Sequence, residues 1–414
     1  MKLSILLRGR DGFLKGNFLL LIISWLLMYS TQPIPDTYSS IYYLNLGATP
    51  FILSVMFFAG SLAAAFMQIP GGSLADKNGR RWLIVVMSFA MTLSYFFFIL
   101  APSWQFIILG MIVQNLCLIY QPALLAMMID SLPPAKRGLG FNFQSVVTNL
   151  ISLPAPLIAA ALVFLFKFNL GMRVGYSIVL VAYLAAATLR IRLRESLPSM
   201  ENKGRPKIFA AFREYRNCLR ECWQVWGQVP RSAFYIFVTS TAMNALVAGC
   251  QIYFVLYATN VLKLSLSQWA IVMAFMYLSI ALPTILAGLR MDVGGRKRFL
   301  VLGYLLHIPA MLFLVIGSFN ILLLAFFLYG LGHVLQVNSS QVIFGDLIPR
   351  ELRGKAVGFV QFFLYLAQAG AYLIIGFLYS FVSPMLPFIL LAASSLPLAL
   401  IIAIKVAEPN VKEV

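Results

Sequence analysis

The sequence predicts an all-α integral membrane fold, with twelve transmembrane helices arranged as two pseudo-symmetric bundles of six. Three observations lead to this prediction: the composition, a series of long apolar stretches, and an internal repeat. The chain has 414 residues, of which 61% are apolar and 11% are charged, and its mean hydropathy is +0.89. Soluble domains are about 45–50% apolar and roughly 25% charged, so a soluble globular protein is excluded.

Twelve apolar stretches are each long enough, at about 20 residues, to cross a hydrocarbon core as a helix. The stretches are continuous rather than alternating, so they indicate helices and not the strands of a barrel. The first stretch is too long for a cleaved signal peptide, and eleven more follow it. In chain order, the predicted spans 1 to 12 are Gly16–Tyr43, Phe51–Gly71, Trp82–Ala101, Trp104–Met128, Leu139–Lys167, Val174–Leu189, Ser232–Ala258, Ser265–Leu289, Phe299–Gly317, Ile321–Phe344, Val357–Phe381 and Pro384–Ile404.

The basic residues predict the orientation of these spans. The chain has 31 Lys and Arg against 13 Asp and Glu, a net charge of +18. With the N-terminus inside, 28 of the cations, Arg190 among them, fall on inner segments, and only Lys167, Arg173 and Lys263 lie outside. Short loops rich in Lys and Arg mark the cytoplasmic side. The sequence therefore predicts a multi-pass protein of the cytoplasmic membrane with both termini cytoplasmic, and its basicity requires no nucleic-acid partner.

The longest polar stretch, residues 190–231, separates six spans from six. It predicts residues 1–189 as an N-terminal six-helix bundle, 190–231 as a cytoplasmic linker, and 232–414 as a C-terminal six-helix bundle. Within the linker, Pro206–Gly227 has apolar residues at three- and four-residue steps with cations between them. This pattern indicates an amphipathic helix in the inner headgroup layer.

Two loop motifs occur twice, at one spacing. The stretch Gly72–Arg81, between spans 2 and 3, has the pattern G-x-x-x-D-x-x-G-R-R, and Gly288–Lys297 repeats it between spans 8 and 9, ending in R-K. The pattern D-x-x-P-x-x-x-R-G begins at Asp130 after span 4 and again at Asp346 after span 10. Both pairs of copies lie 216 residues apart. The two halves are therefore predicted to share a fold.

These loops, the twelve spans and the basic linker resemble the major facilitator superfamily across nearly the whole chain. The resemblance implies two six-helix bundles around a central cavity that opens alternately to each side, with the substrate near the midplane. The P-x-P stretch at Pro33 and the Leu-Gly turn at Leu46 resemble drug-efflux-like members. Two elements differ: Gly110–Asn115 lacks the span 4 arginine of many proton-coupled members, and Ala155–Ala160 lacks the span 5 glycines of antiporters.

The charged loop residues predict a latch on the inner side. In each half an arginine at the start of the third span would pair with an aspartate at the end of the fourth, as Arg80 with Asp130. Such a network must break when the protein opens, which suits a two-state transporter; the alternative is that the charges only set the topology. The predicted latch residues are Gly72, Asp76, Arg80, Arg81, Asp130, Arg137, Asp292, Arg296, Asp346 and Arg353.

Polar side chains inside spans are costly and mark candidates for contact with a substrate or ion. Asp36 is the acidic residue that lies clearly within a predicted span, on a polar stripe with Tyr29 and Gln32. It could bind a cation or proton, or be wetted near the outer mouth, and the amides could instead be bonded between helices. The predicted contact residues are Asp36, Gln32, Tyr29, Gln114, Asn115, Gln144, Asn149, Asn244, Gln251, His333 and Gln336.

These features predict a secondary active transporter and not an enzyme. The chain has no G-x-x-x-x-G-K-[ST] loop for using ATP, and it predicts no cofactor or metal site. The resemblance to drug-efflux-like members implies proton-coupled efflux of a small solute by an antiporter, and the 34 Phe and 17 Met favour an amphipathic or drug-like solute. The alternatives are an importer or facilitator of a polar metabolite, such as a sugar or organic ion, and a lipid flippase. A cavity lined by amides and hydroxyls would favour the polar metabolite. The predicted partners are a small-molecule substrate, H+ and the lipid bilayer, with the chain as a monomer.

Overall fold

The computed structural model describes residues 14–133, 137–196, 220, 229–347 and 353–407. Within these residues the chain is helical and contains no strand. Eleven helical segments are long and apolar enough to cross a membrane, and the shorter apolar helix Leu266–Ala281 makes a twelfth. The predicted twelve-helix architecture is confirmed. The predicted amphipathic segment Pro206–Gly227 lies outside the described residues, apart from Arg220.

Three spans of the first half are broken at prolines, which lack the amide donor that continues a helix. The breaks lie at Pro33 in span 1, beside Pro122 in span 4 and at Pro154 in span 5. The helices are Gly16–Thr31, Pro33–Asp36 and Ser39–Asn45 in span 1, Pro50–Asn78 in span 2, Arg80–Ile99 in span 3, Trp104–Cys117, the 3-10 turn Leu118–Tyr120 and Gln121–Asp130 in span 4, Arg137–Ser152 and Ala155–Phe166 in span 5, and Phe168–Arg190 in span 6.

The spans of the second half are longer and less interrupted. Span 8 begins with a capping box, in which Ser265 Oγ accepts from the Gln268 amide (3.2 Å) and Gln268 Oε1 accepts from the Ser265 amide (2.9 Å). The helices are Arg231–Leu256 with the π turn Tyr257–Val261 in span 7, Leu266–Gly294 in span 8, Arg296–Ile316 in span 9, Phe319–Leu347 in span 10, Arg353–Phe377 with the π turn Leu378–Val382 in span 11, and Leu386–Lys405 in span 12.

The repeated loops adopt the same backbone conformation in both halves. Gly79, between spans 2 and 3, has φ of 85°, and Gly295, between spans 8 and 9, has φ of 83°. Only glycine enters this region without a steric penalty, which explains its presence at both turns. The two turns lie 216 residues apart, so the backbone agrees with the repeat that the sequence shows.

Contacts between helix ends place the beginning and the end of the described chain on one side, called here the terminal side. Asn17 at the start of span 1 exchanges two hydrogen bonds with the backbone of Arg194 after span 6. Ser232 at the start of span 7 accepts a hydrogen bond from the backbone just after span 12. On the opposite side, the carbonyl of Leu46 after span 1 accepts from the amide of Trp104 at the start of span 4 (3.2 Å).

Four hydrogen bonds join the two halves close to the opposite side. Each donor is a hydroxyl or indole group, and each acceptor is a backbone carbonyl of the other half. The bonds are Tyr38 Oη to Leu266 O (2.6 Å), Ser40 Oγ to Ile252 O (2.7 Å), Tyr253 Oη to Pro50 O (2.7 Å) and Trp269 Nε1 to Thr37 O (3.0 Å). We call these four bonds the opposite-side seal.

Spans 2 and 11 pack closely beside this seal. A Cβ atom at Gly376 would overlap the side chain of the buried Ser54. The rings of Phe51 and Phe381 pack at 5.3 Å near the same end of the two spans. Glycine at position 376 is therefore what allows the two halves to meet at this distance.

Candidate substrate cavity

A cavity of about 260 Å³ lies between the two halves. Its wall is built from spans 1, 2, 3, 4 and 6 of the first half and from span 11 of the second. Five residues without a polar side-chain group contribute to the wall: Pro35, Phe57, Gly60, Phe98 and Met111. The polar part consists of Gln32, Asp36, Ser39, Tyr43, Ser61, Tyr95, Gln114, Asn115, Tyr176, Tyr365, Gln368 and Tyr372.

Asp36 lies at the end of the short helix Pro33–Asp36, and its side chain is exposed to the cavity. The Tyr183 hydroxyl donates to Gln32 Oε1 (2.6 Å), which leaves the amide nitrogen of Gln32 to hydrogen-bond the Asp36 carboxylate. Within the described residues no Lys or Arg forms an ion pair with Asp36. A carboxylate without a cation, open to a cavity, is suited to bind a cation or a proton.

Three phenols surround the carboxylate at the opposite-side end of the cavity. Tyr43, Tyr95 and Tyr176 all lie within electrostatic reach of Asp36. The hydroxyls of Tyr43 and Tyr176 are hydrogen-bonded to each other at 2.9 Å. Aromatic faces of this kind attract cations, so the phenols and the carboxylate favour the same ligand group.

Span 4 supplies two amides to the wall. Asn115 Nδ2 donates to the carbonyl of Met111 (2.8 Å), and it packs against Gly60, where a Cβ atom would lie 2.9 Å from Nδ2. One turn and a half further along, Gln121 Oε1 accepts from Gln68 Nε2 (3.3 Å), and Tyr365 of span 11 hydrogen-bonds Gln121. These contacts hold span 4 against spans 2 and 11.

The cavity thus brings together four of the predicted contact residues: Gln32, Asp36, Gln114 and Asn115. The other seven do not line it: Tyr29, Gln144, Asn149, Asn244, Gln251, His333 and Gln336. Asn149 donates to the carbonyl of Ser145 (2.9 Å) and Asn244 to that of Ser240 (2.8 Å), so both bond within their own helices.

His333 and Gln336 lie inside the second half, between spans 9 and 10. Gln336 is buried beside the Tyr304 hydroxyl, and His333 stacks on Tyr329 with ring centroids 6.1 Å apart. In the part of the chain that the structure describes, neither the Gln336 amide nor His333 Nδ1 has a hydrogen-bond partner. His333 and Gln336 do not line the cavity that contains Asp36, and their contact with a solute stays a prediction.

Sequence reasoning missed most of the cavity phenols and the role of one arginine. Tyrosines in a span carry no distinguishing signal, because they also occur at lipid-facing and packing positions. From the sequence, Arg190 is only one of the charges that predict the orientation of the spans, and nothing in the sequence indicates its burial. The structure buries its side chain completely inside the first half, where the ends of spans 1, 3 and 6 meet.

The loops on the terminal side show one of the predicted charge pairs. Arg80 forms an ion pair with Asp130, and it also donates to Ser196 Oγ (3.1 Å). Glu195, which the sequence did not single out, accepts from the backbone amides of Arg80 (3.2 Å) and Arg81 (3.0 Å). A carboxylate at a helix N-terminus stabilises the unpaired amides and the helix dipole. Span 3 is thereby tied to the ends of spans 4 and 6.

The rest of the predicted latch cannot be placed in the same way. The Arg296 side chain is partly buried at the start of span 9. The side chains or immediate surroundings of the remaining members lie outside the described residues: Gly72, Asp76, Arg137, Asp292, Asp346 and Arg353. The latch role therefore stays a prediction for all of these residues.

Comparison with known proteins gives a family match along the chain. The family model described as Major Facilitator Superfamily matches residues 16–292 and 257–414. A search of curated proteins found no match.

Solved structures of transporters share this architecture at low sequence identity. A D-xylose-proton symporter superposes with a TM-score of 0.74 at 15% identity, covering 96% of this chain and 99% of its own. The POT family transporter PepTSo superposes with a TM-score of 0.72 at 14% identity, covering 93% of this chain and 96% of its own. The human organic anion transporter MFSD10 superposes with a TM-score of 0.69 at 17% identity, covering 93% of this chain and 97% of its own. These similarities establish the fold of the chain.

Proposed function

The chain belongs to the Major Facilitator Superfamily and is a membrane transporter, and we propose that it is a secondary transporter that moves a small polar solute through the cavity beside Asp36 by alternating access. The observation that carries the proposal is the Asp36 carboxylate, which faces the cavity between the two halves without an ion pair among the described residues. Its phenol and amide neighbours provide the hydrogen-bonding groups that orient a polar solute.

The cavity wall favours a polar solute over the drug-like solute or lipid that the composition suggests. Five tyrosines, four amides and two serines line it, against two phenylalanines and one methionine. Many of the other phenylalanines are exposed on the outside of the helices, and many of the other methionines are buried in the packed interior. A buried hydroxyl or amide left without a partner costs binding energy, so an apolar ligand would bind weakly here.

The position of the opposite-side seal supports alternating access. Four hydrogen bonds close the interface on that side, which lies opposite the side that the basic loops predict to be cytoplasmic. Reopening requires these neutral bonds to break, at a net cost of about 1 kcal/mol each. Such a cost is compatible with two conformations that a bound solute can interconvert.

Asp36 is proposed as the coupling residue. Its carboxylate takes up a proton when no solute is bound or when the solute leaves. Efflux by proton exchange, from a monomer in the cytoplasmic membrane, remains our proposal for direction and coupling. The predicted latch residues and the linker of residues 190–231 are proposed to hold and connect the two bundles on the terminal side.

The test uses purified protein in proteoliposomes under an imposed pH gradient, with solutes first chosen by thermal shift from sugars, nucleosides, amino acids and drug-like cations. Asp36→Asn is expected to abolish gradient-driven flux while solute exchange without a gradient persists. Asp36→Glu, which keeps the charge, is the matched control and should retain coupling. Unchanged gradient-driven flux in Asp36→Asn would exclude Asp36 as the coupling residue.

A further inference from the structure

Arg190 is a fully buried cation without an acidic partner among the described residues. Its side chain has 0% exposure. The guanidinium donates from Nε to Ser24 Oγ (3.1 Å), from Nη1 to Ser88 Oγ (2.7 Å) and from Nη2 to Met28 Sδ (3.3 Å). Its Cζ atom lies 5.7 Å from the centre of the Tyr120 ring. All four neighbours are neutral, and arginine does not lose its proton in proteins.

Burying a charge among neutral groups is costly. If helix packing required the Arg190 cation, we would expect a cation at the corresponding position of the second half as well. The 216-residue repeat allows this comparison. The position of Arg190 corresponds to Val406, which is buried as well, and that of Asp36 corresponds to Ile252. Both charges therefore belong to the first half only.

The second half packs the same positions with neutral groups. Ser24 corresponds to Ser240, and Ser88 corresponds to Tyr304. There the two hydroxyls reach each other directly at 3.4 Å, without a guanidinium between them. The helix packing at this place therefore does not require a cation, which points to a use for the charge of Arg190 beyond packing.

Arg190 lies behind the terminal-side end of the cavity. Its guanidinium contacts the Tyr120 ring, and Tyr365, which lines the cavity, lies within electrostatic reach of Tyr120 and Tyr29. Tyr29 is 42% exposed and is itself within reach of the Arg190 charge. An anionic group at this end could therefore bond phenol hydroxyls while it is attracted by the cation behind them.

The two charges lie at opposite ends of the same bundle. Ser24, which holds Arg190, precedes Asp36 by twelve residues on span 1, or about 18 Å of helix. Arg173 is the other arginine of span 6, and it donates to the carbonyl of Ala101 (2.9 Å) at the opposite-side end of the bundle. Asp36 therefore faces the cavity while Arg190 lies toward the terminal side of the same bundle.

We propose that the solute is zwitterionic, with its ammonium group at Asp36 and its carboxylate at the phenol of Tyr365, attracted by Arg190. This inference rests on the proposed function and specifies its substrate class. The ammonium group replaces the missing cation at Asp36 and is flanked by aromatic faces. Arg190 acts through the phenols and is a positioning residue. At an intermediate dielectric constant, a charge on the order of 10 Å away changes the affinity for a carboxylate by roughly tenfold.

The test measures binding of the twenty common L-α-amino acids to the purified protein by thermal shift and calorimetry. Each amino acid with an uncharged side chain is compared with its C-terminal amide, which is only a cation, and its N-acetyl derivative, which is only an anion. The best amino acid is expected to bind about tenfold more tightly than both of its derivatives. Equal binding of either derivative, or no binding of any amino acid, would overturn the inference.

Two variants separate the charges. Arg190→Gln should remove the advantage of the amino acid over its amide and keep the advantage over the N-acetyl derivative, and Asp36→Asn should do the reverse. Arg190→Lys, which keeps the charge, should restore the preference. If Arg190→Gln does not fold, Tyr365→Phe tests the same end of the cavity, and an unchanged preference there counts against the inference.

Failure of the inference and failure of the proposed function give different results. If a sugar or nucleoside is moved by the gradient while every amino acid fails to bind, the zwitterion assignment is wrong and the transport function stands. If no solute of any class is moved or bound, the proposed polar-solute transport itself is wrong.

Discussion

The indole nitrogen of Trp269 donates a hydrogen bond to the carbonyl oxygen of Thr37 across the interface of the two halves, at 3.0 Å. Thr37 directly follows Asp36, and the next residue, Tyr38, donates to the carbonyl of Leu266 (2.6 Å). The cavity carboxylate and two bonds of the opposite-side seal therefore share one short piece of span 1. We expect a ligand or proton at Asp36 to act on the seal through this piece.

Trp269→Phe tests the seal directly. The variant keeps an aromatic ring against Phe326, which packs on the indole at 5.3 Å, and it loses only the bond to Thr37. A net loss of about 1 kcal/mol corresponds to roughly fivefold more of the conformation open to the opposite side. The measurement is the rate at which an impermeant maleimide, added from the opposite side, labels Ser39→Cys in the cavity. Cys218 and Cys222 are replaced by serine in that chain.

Trp82→Phe is the matched control for this experiment, because Trp82 lies at the terminal side at the start of span 3. Its substitution should leave the labelling rate unchanged. Equal rates in Trp269→Phe and the unsubstituted protein would show that the bond to Thr37 does not hold the seal closed.

Gly376→Ala is expected to open the seal by steric overlap. The added methyl group would meet the Ser54 side chain, so spans 2 and 11 would have to separate. Labelling of the same cavity cysteine from the opposite side should rise severalfold, since overpacking costs about 1–3 kcal/mol. Gly370→Ala on the same helix is the control, because a Cβ atom there has no neighbour within 4 Å. Equal labelling in the two glycine variants would contradict the close approach at Gly376.

Much of the fold was predictable because its signals are local. Continuous apolar stretches mark the spans, and the loop motifs mark the turns at Gly79 and Gly295 and the pair of Arg80 with Asp130. The cavity was predictable only in part, since the sequence does not distinguish its tyrosines from tyrosines at lipid-facing or packing positions. The burial of Arg190 could not be foreseen, because it depends on serines that come from two distant spans.

Tyr183→Phe should weaken solute binding without touching the solute. The hydroxyl of Tyr183 fixes Gln32 Oε1 at 2.6 Å and so turns the amide nitrogen toward Asp36. Loss of this bond should reduce affinity about five- to tenfold, equivalent to about 1–1.4 kcal/mol. The measurement is calorimetric binding of the solute found by thermal shift. Tyr235→Phe, in span 7 and away from the cavity wall, should bind normally. A normal affinity in Tyr183→Phe would mean that Gln32 needs no support.

Arg80→Gln tests whether the charges of the terminal side act as a latch. The variant loses the ion pair with Asp130 and the bond to Ser196, while the backbone amides of span 3 keep Glu195 as their acceptor. The pair is partly exposed, so we expect a modest effect of about 1 kcal/mol, or a roughly fivefold shift toward the conformation open to the terminal side. Labelling of Ser39→Cys should slow from the opposite side and accelerate from the terminal side. Arg192→Gln removes one positive charge from an exposed position at the same end and should change neither rate. Parallel changes in both variants would show that these cations serve orientation and not the latch.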